Sequence, residues 1–385
     1  MTSLAITTQS LPFLILHIMN RRKFICIFLV SLMMLLVACS IKDNGVNLPG
    51  LPITNDSATS TSQISAIVEQ SILEIPLPNE LAAASMEYSG LAWYKENLIL
   101  LPQYPNRLAG DRSGSLYAID QQDLVEFINN LKTEIKVNAI PFDDAGLSRQ
   151  LDGFEGFEAI VFIHDAVYMT IETRGGNPMK SFLVRGTVES SQGNLSSIRL
   201  DETTLVELPV QNNSSNASYE TLTSDENFIY AFFEQNGKGQ NDNPYAIRFD
   251  PALKEMNEIK VDPINFRLTD ASLVDSDGCF WMINYFFPGD THLIVDEDPI
   301  SARYGLGESH QINEPVERLV KYCLTQEGFL LSQSPPLYLE LLENDEARNW
   351  EGLAEFGDLG FLIITDKFPG SILGYIELKE NSAYE

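Results

Sequence analysis

The stretch "NWEGLAEFGDLGFLIITDKFPG", residues 349–370, places a carboxylate at each end of an apolar ribbon, Glu351 ahead of it and Asp366 behind it. Small and apolar residues, a Gly357-Asp358-Leu359-Gly360 turn and a run of β-branched and aromatic residues together predict a β-hairpin. A unit of this kind calls for a search for copies, because a repeat decides the fold. Four are present. Ser89-Gly90-Leu91-Ala92-Trp93 turns at Lys95-Glu96-Asn97 and runs on to Gln103. Glu158-Ala159-Ile160-Val161-Phe162 turns at His164-Asp165 and stops at Glu172. Glu220-Thr221-Leu222 turns at Asp225-Glu226-Asn227 and reaches Glu234, and Asp270-Ala271-Ser272 turns at Asp275–Gly278 and reaches Asn284. Head and tail are 14 residues apart in these four copies and 15 in the last, where the glycine-flanked turn has room for the extra residue.

The heads are 69, 62, 50 and 81 residues apart, which leaves space for two further strands after each hairpin. Candidates are Ser115–Ile119 with Val137–Phe142, Ser181–Val188 with Thr204–Pro209, Tyr245–Phe249 with Glu258–Val261, and Leu319–Leu324 with Phe329–Ser332. The expected class is all-β, a propeller of five to six four-stranded blades. Only Ile372–Leu378 follows the last hairpin, so a strand within Ile67–Pro78 is expected to complete that blade and close the ring.

The chain has 385 residues, 44% hydrophobic, with 24 Gly and 19 Pro, as a turn-rich globular protein requires. Residues 1–39 read as an export signal: basic Arg21, Arg22 and Lys23, an apolar run from Phe24 to Val37, then Leu36-Val37-Ala38-Cys39. That ending resembles a bacterial lipobox, with Cys39 as the lipid attachment point and a domain held outside the cytoplasm on a bacterial membrane. The apolar run is shorter than the about 20 residues of a membrane span, which favours cleavage. Met19 is an alternative start, and both general and twin-arginine export fit the basic cluster. Residues 40–65, rich in Asn, Ser, Thr, Gly and Pro, are expected to be a flexible tether. The propeller would then occupy 66–385.

Without the three basic residues of the signal, 22 Lys and Arg face 54 Asp and Glu, a formal charge of −32. Nucleic acid is therefore a poor partner. Cys279 and Cys323, the cysteines beyond residue 39, lie in apolar runs and read first as two buried thiols, with a disulfide as the alternative.

Equivalent positions of propeller blades converge on one axis, so Ser89, Glu158, Glu220, Asp270 and Glu351 should meet there. Four carboxylates at one channel mouth repel unless protonated or bridged by a cation, and oxygen-only ligands suit Ca²⁺ first and Mg²⁺ second. Glu158, Glu220, Asp270 and Glu351 are the candidate metal ligands. The structural alternative is that these acids bind backbone N–H groups of neighbouring blades. Glu87 and Glu155, close ahead of two heads, are either further ligands or loop acids. Beyond the tails come Arg107, Arg174, Lys238 and Lys367, a rim suited to a small anionic substrate or to surface ion pairs. His164 reads as a solvated turn residue, and zinc has few ligands to draw on. Nucleophile-elbow, phosphate-loop, His-Glu-x-x-His and Cys-x-x-Cys patterns are absent. The segment 288–315 reads as an insertion whose His292, Arg303, Tyr304 and His310 are candidate substrate contacts.

With Glu351-Gly352-Leu353-Ala354 and Thr365-Asp366 in view, the chain resembles the "esterase-like activity of phytase" family of β-propellers, and more distantly the gluconolactonase-like propellers. The likeness is close at 349–366 and looser at 87–103 and 154–174. Ser89 departs from it by lacking a carboxylate. The resemblance implies a metal-dependent hydrolase of phosphoesters or esters, with a divalent ion on the head acids and Glu172 or Glu234 as base beside Arg174. The competing class is a non-catalytic binding propeller whose acids are structural.

Overall fold

The predicted hairpins form the inner halves of four-stranded antiparallel sheets in a computed structural model that describes residues 67–107, 114–174, 178–191 and 194–378. After β1 (Ile72–Ile75), the first blade is β2 (Tyr88–Tyr94), β3 (Asn97–Pro102), β4 (Gly114–Asp120) and β5 (Val137–Asp143). The second is β6 (Phe154–Ile163), β7 (Ala166–Thr173), β8 (Lys180–Ser191) and β9 (Asn194–Leu200), with the short β10 (Val206–Glu207) paired to β8. The third is β11 (Thr221–Ser224), β12 (Ile229–Phe232), β13 (Tyr245–Phe249) and β14 (Glu255–Lys260). The fourth is β15 (Arg267–Ala271), β16 (Cys279–Phe286), β17 (Val316–Thr325) and β18 (Gly328–Leu331), with β19 (Leu337–Tyr338) on β17. The last is β20 (Trp350–Glu355), β21 (Gly360–Thr365) and β22 (Leu373–Glu377), completed by β1, which pairs Ile72 with Ile376 and Ile75 with Leu373. The last sheet is completed by β1 as the sequence required, and β5 and β9 pair in parallel, so the first two blades share one nine-stranded sheet.

Both faces of each blade are covered, so its inner strands are buried: all four residues of β12 and all six of β21 are inaccessible to solvent. Five apolar clusters separate successive blades, the first and last meeting through Tyr88, Leu91 and Leu100 against Leu362, Ile364 and Tyr375. Gly352 permits that last approach, since a Cβ there would come within 2.5 Å of the Ile364 side chain and 2.8 Å of Leu91. Hydroxyl groups of inner strands reinforce the ring. Thr221 donates to the Leu268 carbonyl at 3.1 Å and Thr269 to that of Trp350 at 2.6 Å.

The turn acids act locally. The Asp225 and Asp275 carboxylates accept backbone N–H groups two to four residues ahead and so close the hairpins of the third and fourth blades. His164 has φ 53 and lies exposed in its turn, as expected.

Two expectations are corrected. The fourth strand of the second blade is Asn194–Leu200 rather than Thr204–Pro209, which contributes only the two-residue β10, also paired to β8. Cys279 and Cys323 are directly paired across β16 and β17 and joined by a disulfide, because the register faces them at a Cα separation of 3.9 Å. Apolar neighbours alone had suggested thiols. The signal, the tether and Cys39 lie outside the described residues.

Candidate functional site

The heads are set apart from their neighbours by the strand ladder itself. Pairing of the first two strands of a blade skips from Tyr88 to Gly90, from Phe157 to Ala159, from Leu268 to Ala271 and from Trp350 to Gly352. Ser89, Glu158, Asp270 and Glu351 therefore sit in β-bulges, which turn a side chain out of the regular alternation. Glu220 precedes β11 directly. Most of these acids open onto one cavity of about 660 Å³, lined by ten carboxylates and only three cations, Arg174, Arg267 and Lys367.

Glu158, Glu220 and Glu351 line this cavity. Glu158 is 5% exposed and accepts one hydrogen bond, from the Gln103 amide at 2.9 Å. Burial, and after it the charge of Glu172, pushes its carboxyl well above the usual range. Glu351 is pushed up by burial and by Asp366, and Glu220 by burial and by Glu234. Asn349 spans head and tail of the last blade, donating to Glu351 at 2.5 Å and to Asp366 at 3.4 Å.

Asp270 behaves differently. Its carboxylate accepts the N–H groups of Ala271 at 2.8 Å, Leu353 at 2.7 Å and Leu91 at 3.4 Å, joining the fourth, fifth and first blades. It is absent from the cavity wall, so of the four candidate metal ligands it alone fills the structural role. Ser89 does likewise, its hydroxyl donating to the Phe157 carbonyl at 2.6 Å.

The tails divide in the same way. Glu172 faces the cavity, and burial raises its carboxyl to about 7 against the opposing Ser218 hydroxyl. Asp366 is raised to about 6 by burial, with Lys367 opposing. Glu234, the other candidate base, is fully buried and off the wall. It is held by a close ion pair with Arg267 and by the Ser218 N–H at 2.9 Å. Both of its oxygens are thereby engaged. Asn284 is buried too, donating to the carbonyls of Asn265 and Arg267 and accepting from Arg318 at 2.8 Å.

Arg174 and Lys367 reach the rim, Arg174 3.6 Å from Glu155 and Lys367 3.4 Å from Glu87. Arg107 instead binds Glu87 at 2.5 Å behind the wall, and Lys238 lies away from the cavity. Glu87 and Glu155 are thus rim acids paired to cations. The insertion contributes Asp290, just after Phe287, rather than the residues expected of it. His310 is buried against Glu69 at 2.7 Å, Tyr304 donates to the Gln333 carbonyl, and His292 stands beside Gln235. Arg267, which pairs with both Glu234 and Asp290, was missed by the sequence reading; its signal was a basic residue three places ahead of a head in an acid-rich chain.

The donor chemistry suits a hard cation, since every candidate ligand is a carboxylate oxygen. Among the described residues, however, no three acid, histidine or cysteine side chains lie close enough to hold one ion directly.

No protein-family model and no curated protein matches the chain. Among solved structures it is similar to a GH32 β-fructofuranosidase of Bombyx mori (TM-score 0.46, 11% identity, 82% of this chain and 62% of that one). It is also similar to the soluble aldose sugar dehydrogenase of Escherichia coli (0.41, 9%, 78% and 98%). A third similarity is to the catalytic domain of a GH62 α-L-arabinofuranosidase of Coprinopsis cinerea (0.42, 8%, 82% and 98%). Scores this low bear on neither activity nor substrate. The propeller assignment rests on the strand order.

Proposed function

We propose that the acid-lined mouth is the active site of a hydrolase acting on a small ester or phosphoester with the help of a divalent cation, Ca²⁺ before Mg²⁺. The observation that carries this reading is the convergence of Glu158, Glu172, Glu220, Glu351 and Asp366 on one open cavity. Their carboxyls are raised by burial and, for Glu158, Glu220 and Glu351, by one another. Glu158, Glu220 and Glu351 are the donors for the ion. With no direct three-ligand set among the described residues, binding requires the acids to move inward or to act through water. When bound, the ion polarises the ester and lowers the pKa of water.

The chain's own groups supply the rest. Glu172, raised to about 7, is placed to take a proton from water near neutral pH. Arg174, on the same wall, offsets negative charge on the substrate. Arg267 neutralises Glu234 behind the wall and keeps it from adding to the repulsion. The resemblance to phytase-type propellers supports the reading through Glu351, Gly352 and Asp366. In this proposal Cys39 carries a lipid that holds the domain at a bacterial membrane, and loss of membrane association in Cys39→Ala tests it.

Titration calorimetry of the chelator-stripped protein with Ca²⁺, alongside hydrolysis of p-nitrophenyl acetate and p-nitrophenyl phosphate, tests the site. Heat of binding and a loss of about 10²-fold or more in kcat for Glu172→Gln are expected. Neither heat nor a thermal shift would remove the cation from the proposal. The non-catalytic alternative is favoured at one position, Asp270, whose oxygens are saturated by backbone donors.

A further inference from the structure

Apart from carboxylates, the cavity wall is notable for its aromatic rings. Tyr104, Tyr285, Phe287 and Phe368 line it, and Phe287 and Phe368 are 49% and 60% exposed. Large apolar side chains left in water beside a cavity are candidates for ligand contact. The Phe287 ring lies over Gly289, where a Cβ would come within 2.2 Å of it, so the ring has a defined bed in the wall.

Unpaired hydrogen-bonding capacity lies deeper. Glu158, 5% exposed, lines the cavity and accepts one hydrogen bond, from Gln103. Glu172, 8% exposed, has the Ser218 hydroxyl as its neighbour. Buried acceptors of this kind are costly unless a ligand brings donors to them.

Charge narrows the choice. Ten carboxylates oppose a free anion, and the three cations on the same wall, Arg174, Arg267 and Lys367, are each already paired with an acid. The protein's own cations also cover aromatic faces there, Arg107 at 4.3 Å from Tyr104 and Lys367 at 5.8 Å from Phe368. Carboxylate oxygens on this wall accept hydrogen bonds, and Arg174 and Lys367 donate them. A neutral ring with many hydroxyl groups matches this wall: its C–H faces meet the phenyl rings, and its hydroxyls meet the carboxyls.

We propose that the acid-lined mouth binds a neutral saccharide ring, with Phe287 and Phe368 as stacking platforms and Glu158 and Glu172 as hydroxyl acceptors. This rests on the reading of the mouth as an active site and names the group that carries the scissile ester. It is tested by calorimetry of the full chain with maltose, cellobiose and sucrose, in chelator and in Ca²⁺, with choline and inorganic phosphate as competitors. At least one disaccharide should bind, and Phe287→Ala and Phe368→Ala should each weaken it about 3- to 10-fold with thermal stability unchanged.

The proposal is overturned if no disaccharide binds, if choline binds in their place, or if binding survives in a variant carrying both Phe287→Ala and Phe368→Ala. Failure with Ca²⁺ heat and ester hydrolysis intact would sink the substrate class and leave the hydrolase standing. Saccharide binding without hydrolysis would sustain the ligand class and sink the hydrolase.

Discussion

The fourth and fifth blades carry an acid at the same repeat position and put it to opposite uses. Asp270 spends its oxygens on three backbone N–H groups and ties three blades together. Glu351 is held by Asn349, faces the cavity, and is repelled by Asp366 and Glu158. Both leave the ladder at a bulge. The shorter aspartate stays against the backbone beside it, whereas the extra methylene carries the glutamate carboxyl out to the mouth. Equivalence in a repeat therefore determines where a side chain starts, and side-chain length with local donors determines what it does.

The largest test of this contrast is Asp270→Ala. It strands three buried N–H groups and should cost about 3–4 kcal/mol, read from urea unfolding. Asp270→Asn, which keeps one acceptor oxygen, should lose less. An unchanged midpoint in the alanine variant would end the structural account of Asp270.

The next effect is on pH. Burial raises Glu172 to about 7 and Asp366 to about 6, above the about 4 of unfolded carboxyls. The folded state then holds more protons across this interval, so stability is full below about pH 4 and falls as pH rises to about 7. Melting temperature should decline over that window, and Ca²⁺ or Glu172→Gln should flatten the decline. A melting temperature that rises with pH would overturn the rise that burial gives Glu172 and Asp366.

The smallest effect is at Glu351. Glu351→Gln keeps the contact with Asn349 and removes one repelling charge, so it should stabilise by about 0.5–1 kcal/mol while lowering activity. A destabilised variant with full activity would place Glu351 in the structural class.

Much of this was legible in the chain. Five hairpins with fixed head-to-tail spacing specify a repeat of strands, because alternation and turn residues are local properties that each segment carries within itself. The closing strand followed by subtraction, since a blade one strand short exposes an edge, and β1 fills it. The misplaced fourth strand of the second blade shows the limit. Both Asn194–Leu200 and Thr204–Pro209 have strand-like composition, and pairing with β8 along its length selects the first.

The set of acids belonged to the sequence, because the repeat position is encoded in spacing. Only the tertiary structure separated locked acids from open ones. Whether Asp270 meets three N–H groups, or Glu234 meets Arg267, depends on strands that are distant in the chain and brought together by ring closure. The same holds for the Cys279–Cys323 bond, whose partners are 44 residues apart and face each other only through the register of β16 on β17. Local pattern sets which groups are available, and long-range packing sets which of them find a partner and which remain free for chemistry.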